Sequence, residues 1–167
     1  YHFNFRFLLF LRISKGDNSL THFFSTHFYT TLAAKGPQGV QTWTQKKGIN
    51  VFEKKFIFFP INKHLHWSLA VVVNPGSIRK PSENHLTNEF PCILFFDSLR
   101  AHSKEIVANK IRAWLNAEWN RVMNQTKVVY NKSSMPAIAP RIPYQDNGWD
   151  CGVFVCRYAY GLFQVRH

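Results

Sequence analysis

Cysteine is scarce in this sequence, and its arrangement argues against a fold held together by disulfides. Among 167 residues there are three cysteines, Cys92, Cys151 and Cys156, so they cannot all pair with one another. Their spacing also lacks the regularity of a disulfide framework. We therefore expect a protein of a reducing, intracellular compartment.

Long hydrophobic runs are also missing. The first apolar run extends from Phe7 to Leu11, and no run in the chain approaches the length of about 20 apolar residues that a membrane-spanning helix needs. Arg6 and Arg12 flank this run too closely for a signal peptide, and the chain does not begin with methionine. We therefore expect no membrane association, and we interpret the chain as a fragment that lacks both ends of its domain.

Acidic residues are few. The chain has 9 Asp and Glu against 21 Lys and Arg, which gives a formal net charge of +12. Such a charge attracts nucleic acids, anionic membranes or acidic protein surfaces. The basic residues are scattered, however, and no long basic run or aromatic-interleaved RNA motif is present. Dedicated nucleic-acid binding is therefore not expected.

Apolar and aromatic residues, by contrast, are abundant. Hydrophobic residues make up 46% of the chain and aromatic residues 16%, which excludes a disordered tail. A chain of 167 residues is long enough to bury a substantial core. We expect one domain that occupies residues 1–167.

Hydrophobic periodicity predicts a mixture of strands and helices. The apolar runs at residues 56–59, 67–73 and 92–96 are typical of buried strands. An apolar stripe predicts a helix over residues 104–123, with Ser103 as its N-cap. We also expect one helix within residues 19–32, a surface connection over residues 74–91 and a short strand at residues 127–130.

The segment "PYQDNGWDCGVFVC" at residues 143–156 changes abruptly from turn-forming residues to an apolar run with helical spacing. Cys151 is therefore predicted at the N-terminus of a helix. The unpaired amides and the positive dipole end of a helix favour a thiolate at that position. A cysteine there is a candidate nucleophile.

Two other polar residues lie at the ends of predicted strands, His66 before one and Asp97 after another. A cysteine hydrolase needs a thiolate, an imidazole that exchanges protons with it and a carboxylate that orients the imidazole. Cys151, His66 and Asp97 supply these groups. Gln145, six residues before Cys151, could donate its amide to a developing oxyanion. Gly152 would leave space beside the nucleophile.

Each of these residues also has a purely structural interpretation. Cysteine is most often a small core residue, and we accept that interpretation for Cys92 and Cys156. His64 and His66 alternate along a predicted strand and could be two metal ligands, but no further ligands lie at a recognisable spacing. We therefore expect no metal and no cofactor, and spacing alone leaves both a Cys-His-Asp enzyme and a purely structural role open.

Three segments together resemble a known family. The segments "FPINKHLHWSLAVVV", "ILFFDSL" and "PYQDNGWDCGVFVC" resemble the catalytic blocks of the SUMO-specific (sentrin-specific) cysteine proteases of the ubiquitin-like-protease family, peptidase C48. The resemblance is strongest over residues 19–163. Within the family, the sequence is most similar to the subclass that has loop insertions and trims SUMO chains. The connection at residues 74–91 would be one such insertion.

This resemblance implies an α+β fold, the papain-like cysteine protease fold, with a central mixed β-sheet and the nucleophile at the start of a central helix. It implies His66, Asp97 and Cys151 as the catalytic triad and Gln145 as the oxyanion donor. Trp67 would cover the Gly-Gly end of SUMO in a narrow tunnel, with Gly152 beside it.

The resemblance also implies the biological setting. The partner would be SUMO or a SUMO conjugate, the chain would act as a monomer, and the location would be the nucleus, with the cytoplasm also open. Two alternatives remain. The domain could act on another modifier, Nedd8 or ubiquitin, or it could be an inactive, truncated module that binds SUMO.

Overall fold

A mixed sheet of five strands forms the centre of the protein. The computed structural model describes residues 20–79, 90–124, 126–127 and 129–164. In sheet order the strands are β1 (Thr21–Phe23), β2 (Phe56–Lys63), β3 (His66–Val73), β4 (Cys92–Phe96) and β5 (Ala137–Ile138). The central strand β3 is antiparallel to both of its neighbours, β2 and β4, whereas β1 and β5 run parallel to the strands they pair with. The expected central mixed sheet is therefore confirmed.

The helices of the described residues cover this sheet. The α-helices are α1 (Thr26–Lys35), α2 (Thr42–Gln45), α3 (Lys104–Met123) and α4 (Cys151–Gln164). The predicted bounds of α3 are confirmed, and so is its N-cap, because the Ser103 hydroxyl accepts a hydrogen bond from the Ile106 amide. Within the described ranges, no helix is both long enough and apolar enough to pass through a membrane.

The sheet is buried on both faces, which explains why its central strands are almost continuously apolar. Alternate residues of β2 and β3 enter two separate hydrophobic clusters. The first cluster packs α1 and α3 against one face, with Ile57, Phe59, Ala70 and Val72 from the strands. The second packs α4 against the other face, with Phe56, Phe58, Leu69 and Val71 from the strands.

The helix expected within residues 19–32 is only partly correct. Residues Thr21–Phe23 form β1, and α1 begins after them at Thr26. The first of these residues, Thr21, is paired with Phe56 in a parallel register. The short segment therefore forms backbone hydrogen bonds with the otherwise unpaired edge of β2. Sheet pairing therefore overrides a weak helical periodicity at this position.

The strand expected at residues 127–130 is wrong for the residues described there. The backbone amides of Val129 and Tyr130 donate to the side-chain oxygen of Asn116 instead of to a strand. The open edge of β4 pairs with Ala137–Ile138. The apolar run at residues 7–11 lies outside the described residues, and so do residues 80–89 of the expected connection. The described parts of that connection are residues 74–79, which include a 3₁₀ turn at Pro75–Arg79, and residues 90–91.

Candidate active site

A tight hairpin places His66 at the start of β3. Lys63 of β2 pairs with His66, and His64 and Leu65 form the turn between them. Both turn residues have positive φ, 52° and 60°, as the favoured two-residue hairpin turn requires. His64 therefore lies in the turn, and the expectation that it shares a strand face with His66 is wrong.

Strand pairing brings Asp97 next to His66. Leu69 of β3 pairs with Phe96 of β4, and the two strands are antiparallel. The residue after Phe96, Asp97, therefore lies beside the first residues of β3, where His66 is located. The Nε2 atom of His66 lies 2.6 Å from the Oδ1 atom of Asp97, and both residues are 6% exposed. A carboxylate only accepts hydrogen bonds, so Nε2 carries the hydrogen of a neutral His66.

The other ring nitrogen of His66 is then the basic atom. In the neutral imidazole the nitrogen without hydrogen accepts a proton. The Nδ1 atom of His66 is buried and has no hydrogen-bond partner among the described residues. It is therefore the ring atom that is left to take up a proton.

Backbone amides hold the Asp97 carboxylate in place. Its Oδ1 atom accepts from the Leu99 amide at 3.1 Å and its Oδ2 atom from the His102 amide at 2.8 Å. Burial by itself raises the pKa of Asp97, but the bonds from His102, His66 and Leu99 outweigh burial and hold this pKa below its ordinary value. Asp97 is therefore ionised at neutral pH and can stabilise a charged imidazolium.

His102 lies behind this pair, and the sequence contained no signal for it. Its Nδ1 atom is 2.8 Å from the Ser68 hydroxyl and its Nε2 atom is 3.0 Å from the Lys63 carbonyl oxygen. Its ring lies 4.9 Å from the ring of His66 between centroids. Burial lowers the pKa of His102 below its ordinary value, so the ring is neutral at neutral pH.

The side chains of His66, Asp97 and His102 offer ligand atoms that lie within 4.8 Å of one another. A metal ion could in principle bind three such groups. However, Asp97 binds His66 and two backbone amides, and both ring nitrogens of His102 are bonded within the protein. A metal would have to replace these hydrogen bonds, so the arrangement suits proton transfer better.

Gln145 is held by hydrogen bonds at both ends of its side-chain amide. Its Oε1 atom accepts from the Ser98 hydroxyl at 2.5 Å, and its Nε2 atom donates to the Asn147 carbonyl at 2.7 Å. The residue is 7% exposed. An amide nitrogen carries two N–H groups, so one donor remains for a substrate oxygen.

The loop that follows leads directly into Cys151. The side-chain oxygen of Asn147 accepts from the amides of Trp149 and Asp150, and its nitrogen donates to the Asp150 carboxylate at 2.7 Å. The Asp150 carbonyl accepts from the Phe154 amide, which closes the first turn of α4. Cys151 is the first residue of this helix, as predicted, and it is 4% exposed.

Trp67 and Gly152, the predicted substrate-binding residues, lie on elements that pack together. Trp67 follows His66 in β3 and packs against the second hydrophobic cluster, to which α4 contributes. Gly152 is the second residue of α4 and is buried. Because α4 packs against β3, these two residues belong to the same side of the sheet.

The remaining cysteines are core residues, as expected. Cys92 is 7% exposed and Cys156 is 6% exposed. Burial raises the pKa of Cys92, and it raises the pKa of Cys156 to about 11. Both are therefore protonated thiols at neutral pH, which leaves Cys151 as the candidate nucleophile among the cysteines.

Adjacent residues connect the separate parts of the site. Asp97 binds His66, and the next residue, Ser98, binds Gln145. Gln145 binds Asn147, which in turn binds Asp150, the residue before Cys151. The structure thus links an imidazole, a carboxylate and an amide donor to the helix that begins with a thiol, the groups that nucleophilic acyl transfer requires.

The comparisons with known proteins agree with this chemistry. Residues 2–166 match the family described as "Ulp1 protease family, C-terminal catalytic domain". The chain is 36% identical over 160 residues to the probable ubiquitin-like-specific protease 2A of Arabidopsis thaliana, a match that covers 88% of the chain and 20% of that protein. The chain thus spans about a fifth of the length of this relative.

Two solved structures share the fold. A crystal structure of a de-sumoylating protease has a TM-score of 0.76 at 24% identity and covers 97% of this chain and 60% of its own. The C-terminal Ulp1 protease domain in complex with Smt3, the yeast orthologue of SUMO, has a TM-score of 0.70 at 22% identity and covers 96% and 63%.

These matches confirm the expected α+β protease fold. The family match makes this domain a cysteine-type peptidase domain, and peptidases of this class are hydrolases. The chain belongs to the Ulp1 protease family.

Proposed function

We propose that this domain removes SUMO from its conjugates by cleaving the bond that follows the Gly-Gly C-terminus of the modifier. The observation that carries the proposal is the orientation of His66, whose Nε2 atom is bound to Asp97 while its buried Nδ1 atom has no partner among the described residues. Membership of the Ulp1 protease family supports the choice of modifier. So does the complex of a similar domain with Smt3.

The first half of the reaction forms a thioester. Cys151 transfers its thiol proton to the Nδ1 atom of His66, and the sulfur attacks the carbonyl carbon of the terminal glycine. Gln145 and the Cys151 backbone amide donate hydrogen bonds to the oxyanion. As the carbon–nitrogen bond breaks, His66 gives its proton to the departing lysine amine.

The second half releases the modifier. His66 removes a proton from water, which attacks the thioester carbonyl and forms a second oxyanion in the same place. The carbon–sulfur bond then breaks, and His66 returns the proton to Cys151. Asp97 remains ionised throughout, because its hydrogen bonds keep its pKa below the ordinary value, and it stabilises the imidazolium formed in each half.

Specificity for a diglycine tail follows from steric exclusion. We propose that Trp67 covers the two glycines and that Gly152 leaves backbone space beside them. The packing of Trp67 against the second hydrophobic cluster supports a fixed position for this ring. A channel too narrow for a Cβ atom accepts only glycine, so no side-chain recognition is needed.

The finer assignments follow the same resemblance. We propose a preference for trimming SUMO chains, action as a monomer and a nuclear location. The relative from Arabidopsis thaliana carries the name ubiquitin-like-specific protease, which supports a ubiquitin-like modifier as substrate but does not distinguish among these modifiers.

Covalent capture tests the proposal. SUMO, Nedd8 and ubiquitin, each with a thiol-reactive group at the C-terminus, are incubated with the chain, and the mass of the product is measured. We expect a SUMO adduct that is absent in Cys151→Ala. Cys156→Ala is the matched control, because it removes a buried thiol from the same helix and should leave the adduct intact.

Other outcomes would lead to different conclusions. An adduct with ubiquitin or Nedd8 in place of SUMO would retain the chemistry and change the modifier. Binding of SUMO without an adduct, from a chain shown to be folded, would mean that the domain is a binding module and not an enzyme.

A further inference from the structure

Ser98 is the buried residue that links the two loops of the site. It is 2% exposed, and its hydroxyl donates to the Oε1 atom of Gln145 at 2.5 Å. Its carbonyl also accepts from the Gln145 backbone amide at 3.4 Å. A buried hydroxyl is costly unless it is hydrogen-bonded, and within the described residues Gln145 is the partner of this one.

We propose that Ser98 is a positioning residue, whose hydroxyl holds the side-chain amide of Gln145 so that its remaining N–H points at the reacting carbonyl. This inference rests on the proposed function, in which Gln145 is the oxyanion donor.

The chemistry of the two partners determines the orientation of the amide. The terminal torsion of a glutamine side chain is broad, and its two amide orientations exchange the oxygen and the nitrogen. The Asn147 carbonyl only accepts, so it selects the amide nitrogen. The Ser98 hydroxyl, which can donate or accept, then donates to the amide oxygen that faces it and holds the amide in that orientation. With both contacts present, a single orientation satisfies the site before the substrate arrives.

The position of Ser98 in the chain adds a second consequence. Asp97 and Ser98 are adjacent, and they orient His66 and Gln145, respectively. One turn after β4 therefore sets both the base and the oxyanion donor. Arg100 belongs to the same turn and lies over the ring of Tyr144, the residue before Gln145. Its guanidinium donates a hydrogen bond to the Tyr144 hydroxyl.

A double-mutant cycle tests this role in the intact chain. Initial rates of cleavage are measured on SUMO with a fluorogenic amide at its C-terminus, for Ser98→Ala, Gln145→Ala and the double variant. We expect Ser98→Ala to lower kcat about tenfold with KM nearly unchanged, because one hydrogen bond is lost and that to Asn147 remains. Gln145→Ala should lower kcat about 10²-fold.

The double variant decides between positioning and general destabilisation. If Ser98 acts through Gln145, the double variant should be no slower than Gln145→Ala alone. Ser98→Thr retains the hydroxyl and should recover most of the lost kcat. Ser103→Ala is the matched control: it removes the N-cap of α3 and so lowers stability, but it should leave kcat unchanged.

A readout without substrate separates this inference from the proposed function. The side-chain ¹⁵N–¹H signals of Gln145, identified by their loss in Gln145→Ala, should shift and broaden in Ser98→Ala but not in Ser103→Ala. Two results would overturn the role of Ser98. One is a loss of kcat in the double variant equal to the product of the two single losses, and the other is unchanged Gln145 signals in Ser98→Ala. If the wild-type chain did not cleave SUMO, the proposed function would fail, and the amide signals would still decide whether Ser98 orients Gln145.

Discussion

The Nε2 atom of His66 lies 2.6 Å from the Oδ1 atom of Asp97, although the two residues are 31 positions apart in the chain. This contact selects the ring tautomer, because Asp97 can only accept. It leaves Nδ1 as the basic atom, and it provides a negative charge for the imidazolium that forms when Nδ1 takes up a proton.

Replacing Asp97 by asparagine should lower activity with little change in fold. The amide introduced by Asp97→Asn can donate as well as accept, so it would no longer require the hydrogen on Nε2 of His66, and the stabilising negative charge would be lost. We expect kcat to fall roughly 10²- to 10⁴-fold, measured on the fluorogenic SUMO substrate. Glu105→Gln, which removes an exposed carboxylate from α3, is the control. A rate within about twofold of wild type for Asp97→Asn would contradict the role of Asp97.

The three cysteines should differ in reactivity, although all are buried. Their exposures of 7%, 4% and 6% are similar, so burial alone predicts equal protection of Cys92, Cys151 and Cys156. The pKa of Cys156 is raised to about 11 and that of Cys92 is also raised, so their thiolates are rare at neutral pH. We expect iodoacetamide to modify Cys151 first at pH 7.5, as measured by peptide mass spectrometry.

A control in urea should show all three cysteines reacting at similar rates once the chain is unfolded. Equal or faster modification of Cys156 in the folded chain would argue against Cys151 as the activated thiol.

Trp67 should determine the selectivity for a diglycine tail. We compare substrates that end in Gly-Gly and in Gly-Ala, and we measure the ratio of their kcat/KM values, which does not depend on the fraction of folded protein. An added methyl group in a closed channel costs about 1–3 kcal/mol, or about 10- to 200-fold. The wild-type ratio should lie in this range and fall towards unity in Trp67→Ala.

Trp67→Phe is the matched variant for that experiment, since it keeps an aromatic ring above the channel and should keep most of the selectivity. An unchanged ratio in Trp67→Ala would mean that another residue excludes the methyl group.

His102 should make the protein less stable in mild acid. Burial lowers the pKa of His102 in the folded state below its ordinary value of 6.5, whereas the unfolded chain retains that value. The unfolded state therefore binds more protons as the pH falls below 6.5, and the free energy of unfolding decreases. His66, Asp97 and Lys63 are the charged or titratable groups that influence this ring.

Urea denaturation between pH 7.5 and pH 5 measures this effect. His102→Gln, which can still donate to the Lys63 carbonyl but does not titrate, should lose less stability over this range than the wild type. Asp97 contributes only at lower pH, because its lowered pKa matters below the ordinary value of 3.8. Equal losses in the two proteins would contradict the assignment to His102.

Much of the fold could be predicted from local patterns. The central strands and both long helices coincide with apolar runs or stripes, and the predicted bounds of α3 agree with the structure. The predictions failed at the sheet edges, where β1 replaced the start of a helix and β5 replaced the strand expected at residues 127–130. Short edge strands depend on the partner that pairs with them, which a local pattern does not contain.

The candidate residues His66, Asp97, Gln145 and Cys151 could be found from the sequence, because each lies in a short segment that resembles the family to which the chain belongs. Their catalytic roles stay predictions. Only the tertiary structure revealed how they are held. Ser98 and Gln145 are 47 positions apart, and Ser68 and His102 are 34 apart. Such contacts depend on strand register and on the turns at strand ends, whereas a sequence pattern reports neighbours within a few residues.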